Sequence, residues 1–265
     1  MFRYSIQGKI LLGGYCDSGS STNRDFCIVR FNSDGSIDTN FGSSGKVITN
    51  NSYIDYALSL KVLSDDRIML GGYCDNGSIN YFCYARYGSD GTNQTSGYMS
   101  IGGSGSDYAM SLVVESMEDN FNPGKFLLGG HCNDQFCLAR LDFSGSFDTS
   151  FNSSGYVIKD IPTTAPDIGN SLALQPDGKI LLGGYCFVGG SVQFCIARFN
   201  SNGSLDTSFV SGNGYVVQDI STGSDSGNSL ALQPDGKILL GGTCDNKFCI
   251  ARFNSNGSLD TSFGS

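Results

Sequence analysis

Ten cysteines are the residues of this chain whose type and spacing point most directly to chemistry. They form five pairs separated by four to ten residues: Cys16/Cys27, Cys74/Cys83, Cys132/Cys137, Cys186/Cys195 and Cys244/Cys249. Each pair flanks a loop between two apolar runs, which predicts neighbouring strands of a hairpin. Residues facing each other on such strands have Cβ atoms about 4.5–5.5 Å apart, so slight closure allows a disulfide. The even count, with none left over, favours five disulfides.

A metal site and free thiols are the alternative uses of these cysteines. Zinc needs four ligands from Cys and His, whereas each repeat offers two cysteines. The one histidine, His131, stands where other repeats have Tyr15, Tyr73, Tyr185 and Thr243, which indicates a substitution at a structural position. We therefore predict no metal and no other cofactor. Five disulfides predict an oxidising compartment, outside the cell or at its surface.

Charged residues also recur in register with the repeat. The repeated arginines are Arg30, Arg86, Arg140, Arg198 and Arg252, and the repeated aspartates after them are Asp38, Asp148, Asp206 and Asp260. A catalytic site is normally singular, so residues present in most repeats indicate scaffolding. We predict structural ion pairs in which each guanidinium fork holds a carboxylate with two hydrogen bonds. Five equivalent ligand pockets are the alternative interpretation.

A second set of aspartates lies four residues before a serine. These pairs are Asp55/Ser59, Asp107/Ser111, Asp167/Ser171 and Asp225/Ser229, and we interpret them as turn-capping groups. The Asn- and Asp-rich turns, such as 32–38, could suggest Ca²⁺ binding. They lack the length and terminal Glu of an EF-hand loop, and turn chemistry explains them without a metal.

Motifs for catalysis are missing from the chain. It has no Gly-x-Ser-x-Gly in a strand–turn–helix context, no helix-borne His-Glu-x-x-His and no phosphate loop. The glycine-rich segment 102–105 lacks both the Lys and the following helix of such a loop. We predict no catalytic residues and no enzyme activity.

Six Asn-x-Ser/Thr sequons are candidate glycosylation sites. They begin at Asn50, Asn76, Asn93, Asn152, Asn202 and Asn256. In a secreted eukaryotic protein such residues lie on exposed turns and carry glycans, although several arise by chance in a Ser-rich chain.

The charge pattern excludes two classes of partner. The net charge is −9, and the basic residues are spread through the repeats without a cluster. Nucleic acid needs a basic footprint, and anionic membrane surfaces attract basic patches. No apolar run approaches the length of a membrane span, so we predict no membrane insertion. No basic segment followed by an apolar one marks a signal peptide.

Short strands must position all these residues. In the fourth repeat, strands are predicted at 171–175, 179–186, 194–200 and 214–220, with turns at Pro176-Asp177-Gly178 and 200–203. The phrase Leu-Gly-Gly-x-Cys recurs at spacings of 58, 58, 54 and 58 residues. Four antiparallel strands at this period are typical of a propeller blade, whereas solenoid repeats are shorter.

These patterns predict an all-β fold, a five-bladed β-propeller of four-stranded antiparallel blades. We expect a single domain over 1–265 with repeats at approximately 1–49, 50–101, 102–161, 162–220 and 221–265. The third repeat carries an insertion around 115–123. The first strand is expected at 2–7, and the last repeat is expected to lack its fourth strand.

The amino-acid sequence of the repeat resembles that of a known family. Residues 174–184 and 232–242 both read Leu-Gln-Pro-Asp-Gly-Lys-Ile-Leu-Leu-Gly-Gly, and 203–209 and 257–263 both read Gly-Ser-Leu-Asp-Thr-Ser-Phe. These motifs resemble the bacterial delta-60-repeat β-propeller family over essentially the whole chain, with degraded copies in repeats two and three. The resemblance implies a propeller module of large secreted or surface proteins and no defined activity. The Cys pair in each repeat is an addition to the usual motif.

Two functions remain as hypotheses. The first is a non-enzymatic, secreted structural subunit that self-assembles through its terminal blade, as a homo-oligomer or filament, because an open strand edge invites strand addition. The second is a glycan- or protein-binding module that uses one ring face, for which Tyr15, Tyr73 and Tyr185 are the candidate aromatics.

Overall fold

The computed structural model of the chain describes residues 2–4, 8–17, 24–51, 54–103, 105–115, 124–161, 166–210 and 212–264. Every regular element within these ranges is a β-strand, so the all-β expectation is confirmed. The end of the expected first strand (5–7), Ser104 of the glycine-rich segment and the insertion at 116–123 lie outside the described residues.

The strands follow the sequence repeats in order. The first repeat contains β1 (Phe2–Tyr4), β2 (Ile10–Asp17), β3 (Arg24–Phe31) and β4 (Lys46–Thr49). The second contains β5 (Ile54–Val62), β6 (Ile68–Asp75), β7 (Asn80–Tyr87) and β8 (Asn93–Met99). The third contains β9 (Asp107–Val114), β10 (Lys125–Cys132), β11 (Gln135–Asp142) and β12 (Tyr156–Lys159). The fourth contains β13 (Asp167–Leu174), β14 (Ile180–Val188), β15 (Ser191–Phe199) and β16 (Tyr215–Gln218). The fifth contains β17 (Asp225–Leu232), β18 (Ile238–Cys244) and β19 (Lys247–Phe253).

Consecutive strands of a repeat pair in sequence order to form antiparallel sheets. The third and fourth repeats form four-stranded sheets, β12-β11-β10-β9 and β13-β14-β15-β16. The first two repeats are joined into one eight-stranded sheet by a single parallel bridge between Arg24 and Ile54. The fifth repeat forms the three-stranded sheet β17-β18-β19, so within the described residues β19 pairs on one side only.

The fourth repeat shows how the sequence produces these sheets. The turn after β13 is closed by the Gly178 N–H donating to the Gln175 carbonyl, 2.9 Å away, and Gly178 adopts a φ of 80°. Such a φ costs a Cβ-bearing residue energy that glycine avoids. The run Ile180-Leu181-Leu182 is completely buried, which confirms the expected burial on both sheet faces. The strand β13 begins earlier than predicted, at Asp167, because a register shift between Gly169 and Ser171 lets it continue past the Gly-Gly pair.

The chain divides into two compact units. One comprises residues 1–128 and 141–146, and the other comprises 129–140 and 147–265. The core of the first contains Phe26, Leu60 and Tyr87, and the core of the second contains Leu181, Phe194 and Phe253. The single-domain interpretation and its repeat bounds stay a prediction.

Candidate functional site

The five cysteine pairs form five disulfides within their repeats. The Cα–Cα distances are 5.6–5.8 Å, and no described cysteine is free. The register corrects one expectation, because the partners do not face each other directly. Cys186 lies opposite Gln193, and Cys195 lies opposite Gly184, so the bridge is diagonal. A Cβ at Gly184 would lie 1.8 Å from the Ile168 carbonyl oxygen, so the glycine allows the close approach of β13.

Four of the five repeated arginines form an ion pair with the repeated aspartate of their own repeat. The Nε atoms of Arg30, Arg140, Arg198 and Arg252 lie 2.7–2.8 Å from Oδ2 of Asp38, Asp148, Asp206 and Asp260. The phenylalanine that ends the Asp-Thr-Ser-Phe motif lies under the same guanidinium, for example Phe209 with its ring centroid 4.5 Å from Cζ of Arg198. Arg198 directs Nε to Asp206, Nη1 to the Ser255 carbonyl and Nη2 to the Ser208 hydroxyl, so its guanidinium divides its hydrogen bonds among three partners.

Arg86 is the exception among the arginines, because its repeat has no aspartate at the matching position. Its Nη1 donates to the Phe143 carbonyl at 2.6 Å, while its buried Nε has no hydrogen-bond partner. Burial, followed by the nearby charge of Arg67, lowers the pKa of Arg86 from its ordinary value. The prediction of an ion pair at Arg86 is therefore wrong.

A lysine completes the charge cluster in three repeats. Lys9, Lys179 and Lys237 place Nζ 3.2, 3.0 and 2.6 Å from the same aspartate oxygens that the arginines bind. Burial alone would raise the pKa of Asp206, but hydrogen bonds from Ser208 and Lys179 and the charge of Arg198 outweigh it and hold that pKa below its ordinary value. The sequence pattern alone does not predict this role of the lysines, although they occur in repeats that also have the aspartate.

The second aspartate set caps turns that precede it. The carboxylates of Asp55, Asp107, Asp167 and Asp225 accept backbone N–H groups of Asn51, Ile101, Ile161 and Ile220 at 2.6–2.9 Å. The serines act elsewhere. Ser59 and Ser171 accept the N–H of Leu112 and Leu230 in the following repeat, at 2.9 and 3.0 Å.

Contacts between successive repeats follow one pattern inside each compact unit. We call the side of a repeat that packs on the next repeat its forward face, and the opposite side its rear face. In the fourth repeat the forward face contains Leu181, Phe194 and Ile196, and the rear face of the fifth contains Leu230, Ile238, Leu240, Ala251 and Phe253. A Cβ added to Gly183 would lie 2.7 Å from Leu230, so the Gly-Gly pair provides the hollow that seats this leucine.

The repeated arginines form hydrogen bonds across these contacts between repeats. Arg30, Arg86, Arg140 and Arg198 each donate Nη1 to a turn carbonyl of the next repeat, those of Ser89, Phe143, Ser201 and Ser255. A backbone bond accompanies three of them, from Gly42, Asn152 and Val210 to the carbonyls of Asp90, Asn202 and Asn256 at 2.8–2.9 Å. The arginine therefore links its own turn to the following repeat.

The forward face of the fifth repeat is uncovered. Phe248 is 99% exposed and Ile250 is 50% exposed, whereas the matching Phe194 and Ile196 of the fourth repeat are 0% and 1% exposed. Both strands have the same sequence at these positions, Phe-Cys-Ile-Ala-Arg-Phe. The difference in exposure therefore comes from what packs against each strand. Among the described residues, no turn carbonyl accepts from Nη1 of Arg252.

A row of tyrosines lies within the first compact unit. Tyr15, Tyr56, Tyr73 and Tyr108 are spaced 4.8, 4.8 and 5.0 Å apart between ring centroids. Tyr15 at the end of the row is 48% exposed. Arg24 lies over the rings of Tyr15 and Tyr56 and donates to the Tyr56 hydroxyl, and Asn80 donates to the Tyr108 hydroxyl at 2.9 Å.

Tyr73 is a partly buried member of this row whose pKa is shifted. Burial, with the neighbouring Tyr56 and Tyr108, raises the pKa of Tyr73 to about 12. The repeat pattern predicts Tyr15 and Tyr73 as candidate aromatics but not Tyr56 and Tyr108. Both come from the first strand of the following repeat, directly after the buried Asp55 and Asp107. The other named candidate, Tyr185, lies in the second unit.

The remaining candidate residues are the sequon asparagines and His131. The six sequon asparagines are all exposed, and the side chains of Asn202 and Asn256 accept hydrogen bonds from the serine of their own sequon. Burial lowers the pKa of His131 to about 4. Within the described ranges no three His, Cys, Asp or Glu side chains come together as metal ligands, and no helix there has the length and hydropathy of a membrane span.

Comparison with known proteins identifies the class. Residues 8–41, 175–209 and 233–263 match the family described as "Domain of unknown function (DUF5122) beta-propeller". No curated protein matches the chain significantly. Among solved structures, a protein of unknown function from Bacteroides caccae is 11% identical with a TM-score of 0.52, over 99% of this chain and 82% of that one.

Two carbohydrate-active enzymes are more distant structural neighbours. An ulvan lyase is 11% identical with a TM-score of 0.49, over 98% of this chain and 68% of that one. An α-L-arabinofuranosidase from Clostridium thermocellum is 10% identical with a TM-score of 0.44, over 97% and 90%. At these scores neither enzyme supports an argument about this chain.

The antiparallel sheets, their repetition and the family match define a β-propeller protein. The resemblance to the delta-60-repeat β-propeller family is confirmed by that match, and this chain adds a disulfide to each repeat.

Proposed function

We propose that this chain is a non-enzymatic, secreted β-propeller whose five repeats are its blades, and that it is a structural subunit of an extracellular or surface assembly. Its copies associate through the fifth repeat, as homo-oligomers or filaments. Five disulfides support a site of action in an oxidising compartment.

The exposure of Phe248 carries the proposal. A phenylalanine that is completely buried at the same position of the fourth repeat is here 99% exposed, beside the half-exposed Ile250. Burying apolar surface of this kind contributes roughly 25 cal/mol per Å². Among the described strands β19 hydrogen-bonds to β18 alone, and an open strand edge of this kind favours pairing with another chain.

Sedimentation velocity of the non-reduced protein over a concentration series tests this function. We expect concentration-dependent association, weakened at least tenfold by Phe248→Asp. Tyr98→Asp is the matched control, because Tyr98 is 60% exposed and lies in another repeat. A monomer at every concentration, or equal association in both variants, would contradict the proposal.

Glycan binding is the second candidate function, and the tyrosine row favours it. The exposed ring of Tyr15, the phenol hydroxyls along the row and the neighbouring side chains of Arg24 and Asn80 suit a sugar chain, which stacks on rings and hydrogen-bonds through hydroxyls. Calorimetric titration with neutral glucose, mannose and N-acetylglucosamine oligosaccharides tests it. We expect binding that Tyr15→Ala reduces at least tenfold and Tyr98→Ala leaves unchanged; binding that is absent or equal in both variants would rule it out.

A further inference from the structure

The second repeat keeps both cations of the charge cluster described above but not its carboxylate. In the first, fourth and fifth repeats, the cluster consists of an arginine, a lysine and an aspartate whose Oδ2 atom lies within 3.2 Å of both. In the second repeat, Arg86 occupies the arginine position, and Arg67, directly before β6, occupies the lysine position. The residue that matches the aspartate is Gln94.

Gln94 has the backbone position of those aspartates, but its side chain lies elsewhere. It follows Asn93, the strand partner of Tyr87. Asp38 likewise follows the partner of Phe31 in the first repeat. Gln94 is exposed, whereas Asp38 is only 4% exposed. The amide of Gln94 therefore does not take the buried place that the carboxylate has in the other repeats.

Arg86 shows the consequence of this substitution. Its Nη1 donates to the Phe143 carbonyl at 2.6 Å, but among the described residues its buried Nε has no hydrogen-bond partner. The Nε atoms of the equivalent arginines lie 2.7–2.8 Å from a carboxylate oxygen. A buried donor without an acceptor is costly, especially when it carries charge. Burial, followed by the charge of Arg67, lowers the pKa of Arg86, which agrees with a positive charge that its surroundings compensate incompletely.

The two guanidinium groups lie around one aromatic ring. The Cζ atoms of Arg67 and Arg86 are 5.4 and 5.6 Å from the ring centroid of Phe143. Arg67 binds Asp65 through Nε at 2.6 Å, so this carboxylate balances Arg67 and leaves Nε of Arg86 without an acceptor. The side chains of Arg67 and Asp65 are 24% and 36% exposed, so their side of the cluster is open to solvent. All four residues belong to the first compact unit.

We propose that the second repeat binds a small organic carboxylate between Arg86 and Arg67, at the place that an aspartate carboxylate fills in the other repeats. One oxygen of the ligand accepts from Nε of Arg86 and faces the guanidinium of Arg67. The ligand thereby completes the cluster as Asp206 does between Arg198 and Lys179. Charge-assisted hydrogen bonds of this kind are stronger than neutral ones. The site is separate from the fifth repeat and does not depend on association of copies.

The other repeats also indicate which anion fits. In each of them the arginine Nε holds one oxygen of a planar carboxylate, and none holds a tetrahedral group. The net charge of −9 disfavours a polyanion, because the rest of the surface repels it. A small monocarboxylate matches both observations.

NMR of the arginine side chains tests this site in the intact, non-reduced protein. A ¹H–¹⁵N spectrum shows the Nε–H group of each arginine, and the Arg86→Lys variant identifies the signal of Arg86. Acetate is titrated against chloride at constant ionic strength, and sulfate is the tetrahedral control. We expect acetate to shift the Arg86 signal saturably. The Arg198 signal should stay in place, because Asp206 already accepts from its Nε at 2.7 Å.

Two results of this titration would overturn the proposal. The first is an Arg86 signal that acetate does not shift saturably, or that shifts no more than the signal of Arg198. The second is an equal affinity for acetate and sulfate, which would overturn the assignment to a carboxylate.

Variants at position 94 give a second readout. Gln94→Asp places a carboxylate where the other repeats have it, so we expect it to bind Arg86 and to abolish the acetate-dependent shift. Gln94→Ser is the matched control and should respond to acetate as the unmodified chain does. Thermal unfolding checks that both variants are folded. An equal acetate response in the two folded variants would contradict the proposed place of the ligand.

Arg67→Gln tests the second cation of the site. We expect the affinity for acetate, read from the Arg86 signal, to fall at least tenfold, because one of the two positive charges is lost. An unchanged affinity would show that Arg67 does not hold the ligand and would overturn the two-arginine site.

Discussion

The repeated arginine is the residue on which most of the repeat-specific contacts converge. In the fourth repeat, Arg198 binds Asp206 at 2.7 Å, stacks on Phe209 and donates to the Ser255 carbonyl at 2.7 Å. Arg252 makes the same ion pair and the same ring contact in the fifth repeat, but has no such carbonyl among the described residues. The two residues differ in one contact and in burial, so they form a matched pair.

Replacing these arginines with alanine should separate the two cases. We expect Arg198→Ala to lower the free energy of unfolding by about 2–4 kcal/mol, because it breaks a buried ion pair and a junction contact. Arg252→Ala should cost about 1 kcal/mol, because its pair is more exposed. Urea unfolding of both variants under non-reducing conditions measures the difference, and equal losses would argue against the junction role of Arg198.

Asp107 should make stability depend on pH in an unusual direction. Burial raises the pKa of its carboxyl from 3.8 to about 6, and the Ile101 N–H only partly offsets this. A carboxyl whose pKa is higher in the folded state binds its proton more tightly there, so stability falls as pH rises from about 4 to about 6. The full effect of this one group is about 3 kcal/mol.

Asp107→Asn removes that titration. We expect the free energy of unfolding at pH 7, relative to its value at pH 4, to be higher in the variant than in the unmodified protein. Urea unfolding at both pH values measures this difference. Parallel pH profiles for the two proteins would show that the carboxyl is not perturbed as described.

At the scale of the strand, the disulfides differ in burial according to the repeat that contains them. Cys74–Cys83, Cys132–Cys137 and Cys186–Cys195 are at most 1% exposed at either end, whereas Cys244 is 6% exposed and Cys249 is partly exposed. Cys27 is 9% exposed and Cys16 is partly exposed. The terminal repeats therefore present their bridges to solvent.

Reduction of the native protein should follow this order. We expect Cys16–Cys27 and Cys244–Cys249 to be alkylated first under mild reductant, because thiol attack needs access to sulfur. Differential alkylation followed by peptide mass spectrometry measures the order. Reduction of the three buried bridges first, or of all five together, would mean that burial does not govern their reactivity.

Gly183 and Gly241 occupy equivalent strand positions in the fourth and fifth repeats and form another matched pair. Gly183→Ala places a Cβ 2.7 Å from Leu230, so we expect a loss of about 1–3 kcal/mol from overpacking. Gly241→Ala meets nothing closer than 3.9 Å and should leave the stability of the single chain nearly unchanged. Thermal unfolding compares the two variants, and a similar loss in both would contradict the seating of Leu230 in a hollow.

Local patterns predicted the strands and turns, because alternation, turn residues and cysteine spacing act within a few residues. Contacts between repeats were harder to predict. Arg198 reaches a backbone carbonyl at Ser255, and a carbonyl leaves no mark in the sequence. The tyrosine row likewise combines Tyr15 with Tyr56 of the next repeat, which the spacing within one repeat could not indicate.

At the scale of the whole molecule, the contacts that link each repeat to the next also explain why the forward face of the fifth repeat is exposed. A buried position such as Phe194 and an exposed one such as Phe248 share the same local sequence, so their difference in exposure comes from what packs against them. We propose that a second copy covers the exposed face of the fifth repeat.

Negative-stain electron microscopy of the non-reduced protein at several concentrations tests this claim most directly. The account predicts rows or closed rings of propeller-sized particles that become longer or more frequent as concentration rises. Isolated, uniform single particles at every concentration would contradict it.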